Sequence, residues 1–237
     1  MISFIIPAHN EAAEIGACLE AIHAAAAANS ATYEIIVVDD ASDDDTAAIA
    51  ESHGARTVRV EHRQIAATRN AGAAQARGEI LVFVDADTQI DDAVLNDALA
   101  ALEAGAVGGG AGIRIDEALP APGRYLLPVV LTIWRWTGWA AGCFLYCRRA
   151  DFEAVGGFDE RYYASEEIHL SRALKRRGPF KVLKTSVLTS GRKFRLYDTG
   201  EQWRTMLRLA FGGFRAARKR EGLELWYDGR REDKPPR

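Results

Sequence analysis

Asp85 and Asp87 stand one residue apart in LVFVDADTQID, residues 81–91, where an apolar run ends. Two carboxylates at that spacing can share a divalent cation, because Mg²⁺ takes few protein carboxylates and completes its shell with phosphate oxygens and water. They can equally cap a helix starting near Asp91. Asp39 and Asp40 end a second apolar run; they can accept hydrogen bonds from a base N–H or from ribose hydroxyls, or cap the helix that follows. Glu166 and Glu167 open a helical pattern. A carboxylate within reach of an acceptor hydroxyl can take its proton during attack, and the same pair can simply stabilise a helix N-terminus. Arg69 has the chemistry to stack on, or hydrogen-bond to, a nucleotide, and Arg192 and Lys193 in SGRKF have the chemistry to cover a diphosphate. As surface charges all three would do neither.

These side chains need elements to hold them. Ile2–Ile6, Glu34–Val38, Arg56–Val60 and Ile80–Val84 read as short buried strands. Helical spacing follows each: Ile15, Cys18, Leu19 and Ile22 with Asn10 as cap; a short helix capped by Ser42 or Asp43 and stopped at Gly54; 64–77; and 91–103. Strand and helix in alternation predict a parallel sheet with helices on both faces, which binds ligands outside the carboxyl ends of its strands. His9-Asn10-Glu11, Asp39-Asp40 and Asp85/Asp87 all fall at such ends. Further on, the sequence predicts an apolar segment over 125–137, a strand over 141–147 and a helix from Ala150 halted at Gly156-Gly157. A helix over 165–177 capped by Ser165, a strand over 181–188 and a long helix over 201–221 complete the pattern. GAVGGGAG, residues 105–112, matches neither Gly-x-Gly-x-x-Gly nor a loop ending in Gly-Lys-Ser/Thr, and reads as a close approach of chain to sheet.

The 237 residues suffice for one sizeable α/β domain with an appendage, and 48% hydrophobic with 27% charged residues are globular values. Net charge is −3 but segregated: residues 1–171 carry −15 and 172–237 carry +12. A basic C-terminal part suits an anionic partner, or a solvated helix that neutralises the acidic body. Cys18, Cys143 and Cys147 make no disulfide framework or zinc set, and read as buried thiols in a reducing compartment. MISFIIPAHN enters a strand without a basic leader, and the apolar stretch from Leu126 is broken by Pro128, Arg135 and Gly138. A cytoplasmic location is expected, with peripheral contact at the inner face of the membrane open through 201–221. There Arg204, Arg208, Arg215 and Arg218 accompany Trp203, Phe211 and Phe214; the same apolar stripe can pack on the domain.

In order along the chain, PAHNE (7–11), VVDDASDDDT (37–46), TRNAGAAQARGEILVFVDADT (68–88) and GGFDE followed by SEE (156–167) resemble the family 2 glycosyltransferases of GT-A fold. The resemblance covers about residues 2–190 and implies an α/β fold with one Rossmann-like, mostly parallel sheet. Residues 1–195 would form the domain, split into a nucleotide-sugar half (1–115) and an acceptor and catalytic half (116–195), with 196–237 as a basic amphipathic helix and tail. It implies that Pro7, Ala8, Asn10 and Glu11 line the nucleotide pocket with Asp39, that Asp40 holds the base with help from Arg69, and that Asp85 faces ribose and metal. Ala86 and Glu166 belong to the same site, Asp87 binds the metal, Mg²⁺ or Mn²⁺, and Glu167 falls where the base belongs. The family's usual pair there is Glu-Asp, whereas this chain has Glu-Glu. His169 stands where that family often has an acidic residue.

The function expected is metal-dependent, inverting transfer of a sugar from a nucleotide-diphosphate sugar, a UDP-sugar by resemblance, to a hydroxyl on a glycan, lipid or other small molecule; no nucleic acid is expected as partner. A nucleotidyltransferase would want a glycine-rich basic loop after the first strand, where this chain reads Ala8-His9-Asn10-Glu11. A non-catalytic nucleotide-binding module would tolerate loss of Asp87 and Glu167.

Overall fold

The computed structural model describes residues 1–116, 138–140, 142–192, 196, 200, 201, 204, 208, 216–223 and 227. Lys193, the 125–137 segment, the end of the tail and more than half of the positions of the 201–221 stretch lie outside the described residues.

Eight strands form one sheet in the order β3-β2-β1-β4-β7-β6-β8-β5. They are β1 Ile2–Ala8, β2 Tyr33–Asp40, β3 Arg56–Val60, β4 Ile80–Val84, β5 Thr88–Gln89, β6 Gly108–Ile115, β7 Phe144–Arg148 and β8 Phe180–Thr189. β3, β2, β1 and β4 run parallel, as predicted. β7 is antiparallel to both β4 and β6, β6 is parallel to β8, and β5 is antiparallel to β8. The described helices are α1 Ile15–Ala28, α2 Thr46–Ser52, α3 Ile65–Gln75, α4 Asp92–Glu103, α5 Arg149–Ala154 and α6 Glu166–Lys175.

Strand side chains alternate between faces, so the sheet builds two cores. Phe4, Ile6, Val37, Val82 and Val84 pack with α1 and α4. Ile5, Ile36, Val38, Leu81 and Phe83 face the other way, onto α3, α5 and α6. On that second face α3 lies close: a Cβ on Gly72 would sit 2.5 Å from Ile5 Cγ2 and 2.7 Å from Val38 Cγ2. Glycine there lets the helix settle on β1 and β2, which brings Arg69, one turn earlier, to the strand ends.

Three local expectations change. Asn10 is not a helix cap; it adopts φ 55°, accepts from Asp43 N at 2.9 Å and donates its own amide to Ser42 Oγ at 3.0 Å. Neither Ser42 nor Asp43 caps α2; Asp45 holds the N-cap position without a side-chain cap, and Asp44 beside it accepts from the amide and hydroxyl of Thr46. Ser165 holds the N-cap position of α6 with φ 63° and makes no side-chain cap. Its left-handed backbone points the hydroxyl away from the helix amides it would otherwise meet.

The glycine run proves to be a strand. β6 begins at Gly108, and a Cβ on Gly109 would collide with Lys181 O and the Tyr146 ring. Tyr146 therefore lies across β6 and donates to Lys181 O at 2.8 Å. Close approach was the expectation; the strand itself has no hydrophobic signature to read.

Candidate active site at the carboxyl edge of the sheet

The ends of β1, β2 and β4 and the head of α6 converge. Arg69, buried on α3, donates to Asp85 Oδ1 (2.7 Å), Glu166 Oε1 (2.6 Å) and Gly142 O (2.7 Å). Its guanidinium lies over the Phe158 ring at 5.3 Å. Burial works against its charge, but Asp85 and Glu166 outweigh burial and hold it protonated. Arg69 is thus no surface arginine; it fixes the first carboxylate after β4 against the first carboxylate of α6.

Glu167 follows on the same helical turn. Part of the residue reaches the surface, but its carboxyl is enclosed beside Gly142, whose added Cβ would come within 3.6 Å of Glu167 Cδ. Burial first, then the charge of Glu166, pushes its pKa up to about 8, with Arg69 opposing. A carboxyl poised near neutral pH at the rim of a ligand-binding sheet has the protonation chemistry of a general base.

Asp87 sits on the opposite side of Asp85. Its backbone carbonyl accepts from Ser190 N at 3.0 Å, tying the rim to the end of β8. Arg192 lies 3.9 Å from its carboxylate and makes a bidentate pair with Glu11 at 2.8 and 2.9 Å. Ser190 Oγ donates to Glu14 at 3.3 Å. The sequence flags Glu11 and Arg192 separately; their pairing across 181 positions is visible only in three dimensions. Pro7 and Ala8 end β1 beside Asp39, in register with Ala8.

Asp39 accepts from Ser42 N at 3.1 Å. Asp40 accepts from Arg63 N (2.8 Å), Gln64 N (3.2 Å) and Thr68 Oγ1 (2.9 Å), so it anchors the start of α3. In both residues Oδ1 takes a single N–H and keeps acceptor capacity. His169 turns elsewhere: it stacks on Tyr162 at 3.8 Å, and burial lowers its pKa.

Backbone strain marks the same edge. Among the described residues, five other than glycine have positive φ: Asn10, Ser30, Ala41, Arg63 and Ser165. All but Ser30 lie just past β1, β2 or β3 or just before α6. Such residues cluster where a surrounding scaffold holds a site in shape. Ala41, at φ 57°, has no side-chain hydrogen bond to compensate. Ala41→Gly is expected to raise stability by ~0.5–1 kcal/mol, about 2 °C in Tm, by removing a Cβ penalty that exceeds glycine's added unfolded-state entropy; a lower Tm would show that the left-handed turn costs nothing here.

The donor set suits a divalent cation bound together with a diphosphate. Arg69 takes Oδ1 of Asp85, and Oδ2 carries no hydrogen bond among the described residues. Asp85 and Asp87 share one turn, closed by Thr88 N to Asp85 O at 3.0 Å. No group of three or more His, Cys, Asp or Glu able to hold an ion occurs among the described residues. Two hard carboxylates awaiting phosphate and water fit Mg²⁺ or Mn²⁺ better than a closed protein cage would. Cys18 and Cys143 flank Asp85: the Cys18 thiol donates to Asp85 O at 3.6 Å, and burial raises both thiols, keeping them inert.

The glycosyl transferase family 2 model matches residues 3–158, and the chain belongs to that family. Among curated proteins, none matches it. Solved structures share its fold. The mannosyltransferase PcManGT from Pyrobaculum calidifontis, in complex with GDP-Man and Mn²⁺, is 21% identical with TM-score 0.64, over 96% of this chain and 67% of that one. Glucosyl-3-phosphoglycerate synthase from Mycobacterium tuberculosis, in complex with phosphoglyceric acid, is 18% identical with TM-score 0.61, over 98% and 81%. S. aureus TarS 1–349 with UDP-GlcNAc is 20% identical with TM-score 0.62, over 88% of this chain and 64% of that one. The chain thus spans under two thirds of TarS 1–349. Among the described residues, no helix is long and apolar enough to cross a membrane.

Proposed function

We propose that the chain is an inverting glycosyltransferase whose donor, a nucleotide-diphosphate sugar of the UDP class, lies across the ends of β1, β2 and β4. The observation that carries this reading is the enclosed Glu167 carboxyl, with its pKa at about 8, set beside the Asp85–Arg69–Glu166 chain of ion pairs. Glu167 takes the proton of the acceptor hydroxyl as its oxygen bonds to the anomeric carbon. The bond from that carbon to the diphosphate breaks on the opposite face, its electron pair leaves with the nucleoside diphosphate, and the carbon inverts. Asp39 and Asp40 receive the base and ribose, within a pocket lined by Pro7, Ala8, Asn10 and Glu11. Arg192, held by Glu11 and within 3.9 Å of Asp87, is in reach of the leaving diphosphate. Asp87 and Asp85 would hold Mg²⁺ or Mn²⁺, which supplies charge neutralisation of that diphosphate. The acceptor is a hydroxyl-bearing glycan, lipid or small molecule.

A thermal-shift panel of UDP-glucose, UDP-N-acetylglucosamine and GDP-mannose, with and without Mn²⁺, tests the donor half. A ligand at about 100 times its Kd stabilises by roughly 2.7 kcal/mol, which is about 5–10 °C for a chain of this size. The expected result is a Mn²⁺-dependent shift with a UDP-sugar. No shift with any nucleotide sugar at millimolar concentration would remove the reading.

A further inference from the structure

Residues 216–223 and Tyr227 lie beyond the stretch the family model matches, yet they reach the machinery at the head of α6. Ala217 and Leu223 are buried with Tyr162 and Ala164, and Tyr163 and Tyr227 pack on the same cluster. The backbone seals the contact: Tyr163 N donates to Ala217 O at 2.7 Å. Tyr227 adds a second tie. Its hydroxyl donates to Tyr163 O at 2.7 Å, and its ring meets that of Tyr163 edge-on at 5.7 Å. The same loop is also held from α3: Gln64, at the N-cap position of that helix, donates to Tyr162 O at 3.3 Å. Burial, and then the charge of Glu166, raises the phenol's pKa, so it stays a neutral hydroxyl able to donate and accept at once.

Two supports therefore hold the loop ahead of α6, Gln64 from α3 and Tyr227 from the C-terminal part. One turn past Ile65, α3 presents Arg69. The 162–165 loop passes through left-handed Ser165 into Glu166, which Arg69 grips at 2.6 Å, and Glu167. Any slip of that loop relative to α3 moves Glu167 against the strand-end rim. Glu167 itself is faced by Glu166 of its own helix, Arg69 of α3, Asp85 after β4 and the Gly142 backbone.

We propose that Tyr227 is a positioning residue: its hydroxyl anchors the loop ahead of α6 and so holds the Glu167 carboxyl in place. The tie is a matter of structure alone; its consequence for turnover rests on Glu167 being the base.

Tyr227→Phe deletes one oxygen and keeps the ring. Hydrogen exchange on the full chain is expected to accelerate about tenfold at residues 162–168, with β1 and β2 unchanged. In release of nucleoside diphosphate from whichever panel sugar the wild type turns over, kcat is expected to fall about tenfold with donor KM within twofold, since small misplacements of a reacting group are costly. The midpoint of the rising pH limb should move down by at least about half a unit as water reaches Glu167, because burial is the largest cause of its raised value. Unchanged exchange at 162–168 overturns the tie, and a lower kcat with an unmoved pH midpoint overturns the positioning role. Should the Phe variant not fold, Leu223→Ala loosens the same contact from the other side and is read by the same two outcomes. Failure of the base reading is separable: wild type and Glu167→Gln would then share one pH profile, while the exchange measurement still decides the tie.

Discussion

Glu167→Gln is expected to lower sugar transfer by ~10²–10⁴-fold, the range associated with losing a general base, while UDP with Mn²⁺ still binds within a few-fold of wild type. Glutamine keeps the volume and the contact with Gly142 but cannot take a proton. The wild-type kcat/KM should climb with pH through about 8 as the carboxylate forms, and the residual activity of the variant should lose that limb. Transfer at near wild-type rate would remove Glu167 as the base.

The same substitution has a stability signature of opposite sign to its effect on rate. Glu167 titrates near 8 in the folded chain and near 4.5 when unfolded. Between those values the folded state binds the proton more tightly, so raising pH through that window erodes stability. Glutamine is spared that loss. Glu167→Gln should match wild type near pH 4.5 and melt several degrees higher at pH 8–9, given about 2–4 °C per kcal/mol at this chain length. Thermal melts of both proteins from pH 4.5 to 9 check it; a Tm difference that does not grow with pH would mean the carboxyl is not held protonated. A site that gains stability when disarmed is strained for function.

Much of this was legible along the chain because strand side chains alternate. Phe4 and Ile6 against Ile5, or Val37 against Ile36 and Val38, announce a sheet covered on both faces, and the strand ends then fall at Asp39, Asp40, Asp85 and Asp87. β6 escaped because Gly108, Gly109 and Gly110 have no side chains to show a period; their strand exists because Tyr146 and the Lys181 carbonyl need the room. Arg69 was legible as a site candidate but not as a buried one, because an isolated arginine reads as solvated and only the approach of Asp85 and Glu166 offsets its burial. Ser165 looked like a cap by composition, yet its left-handed backbone sends it elsewhere. Arg192 and Glu11 illustrate the general limit: local pattern places each at a rim, and only chain topology brings them together.

Asp87→Asn is the second large effect. The change removes one negative charge from a rim that also holds Asp85, Glu11 and Glu14, and leaves the Glu11–Arg192 bidentate pair intact. Among the described residues, the ion pair lost is the long one, at 3.9 Å from Arg192. The backbone bond from Ser190 N to Asp87 O does not depend on the side chain. Stability should therefore stay within about 2 °C of wild type, as for other weak ion pairs. Binding of UDP in the presence of Mn²⁺ should instead fall steeply, because asparagine offers a neutral oxygen where a diphosphate-bound cation needs an anionic one. Transfer should drop by ~10³-fold, in line with several kcal/mol of charge stabilisation. Calorimetric titration of UDP with and without Mn²⁺ separates the two contributions: the variant should bind UDP alone like wild type and lose only the Mn²⁺-dependent increment. If that increment survives, the cation is held by other groups and Asp87 serves only to position Arg192.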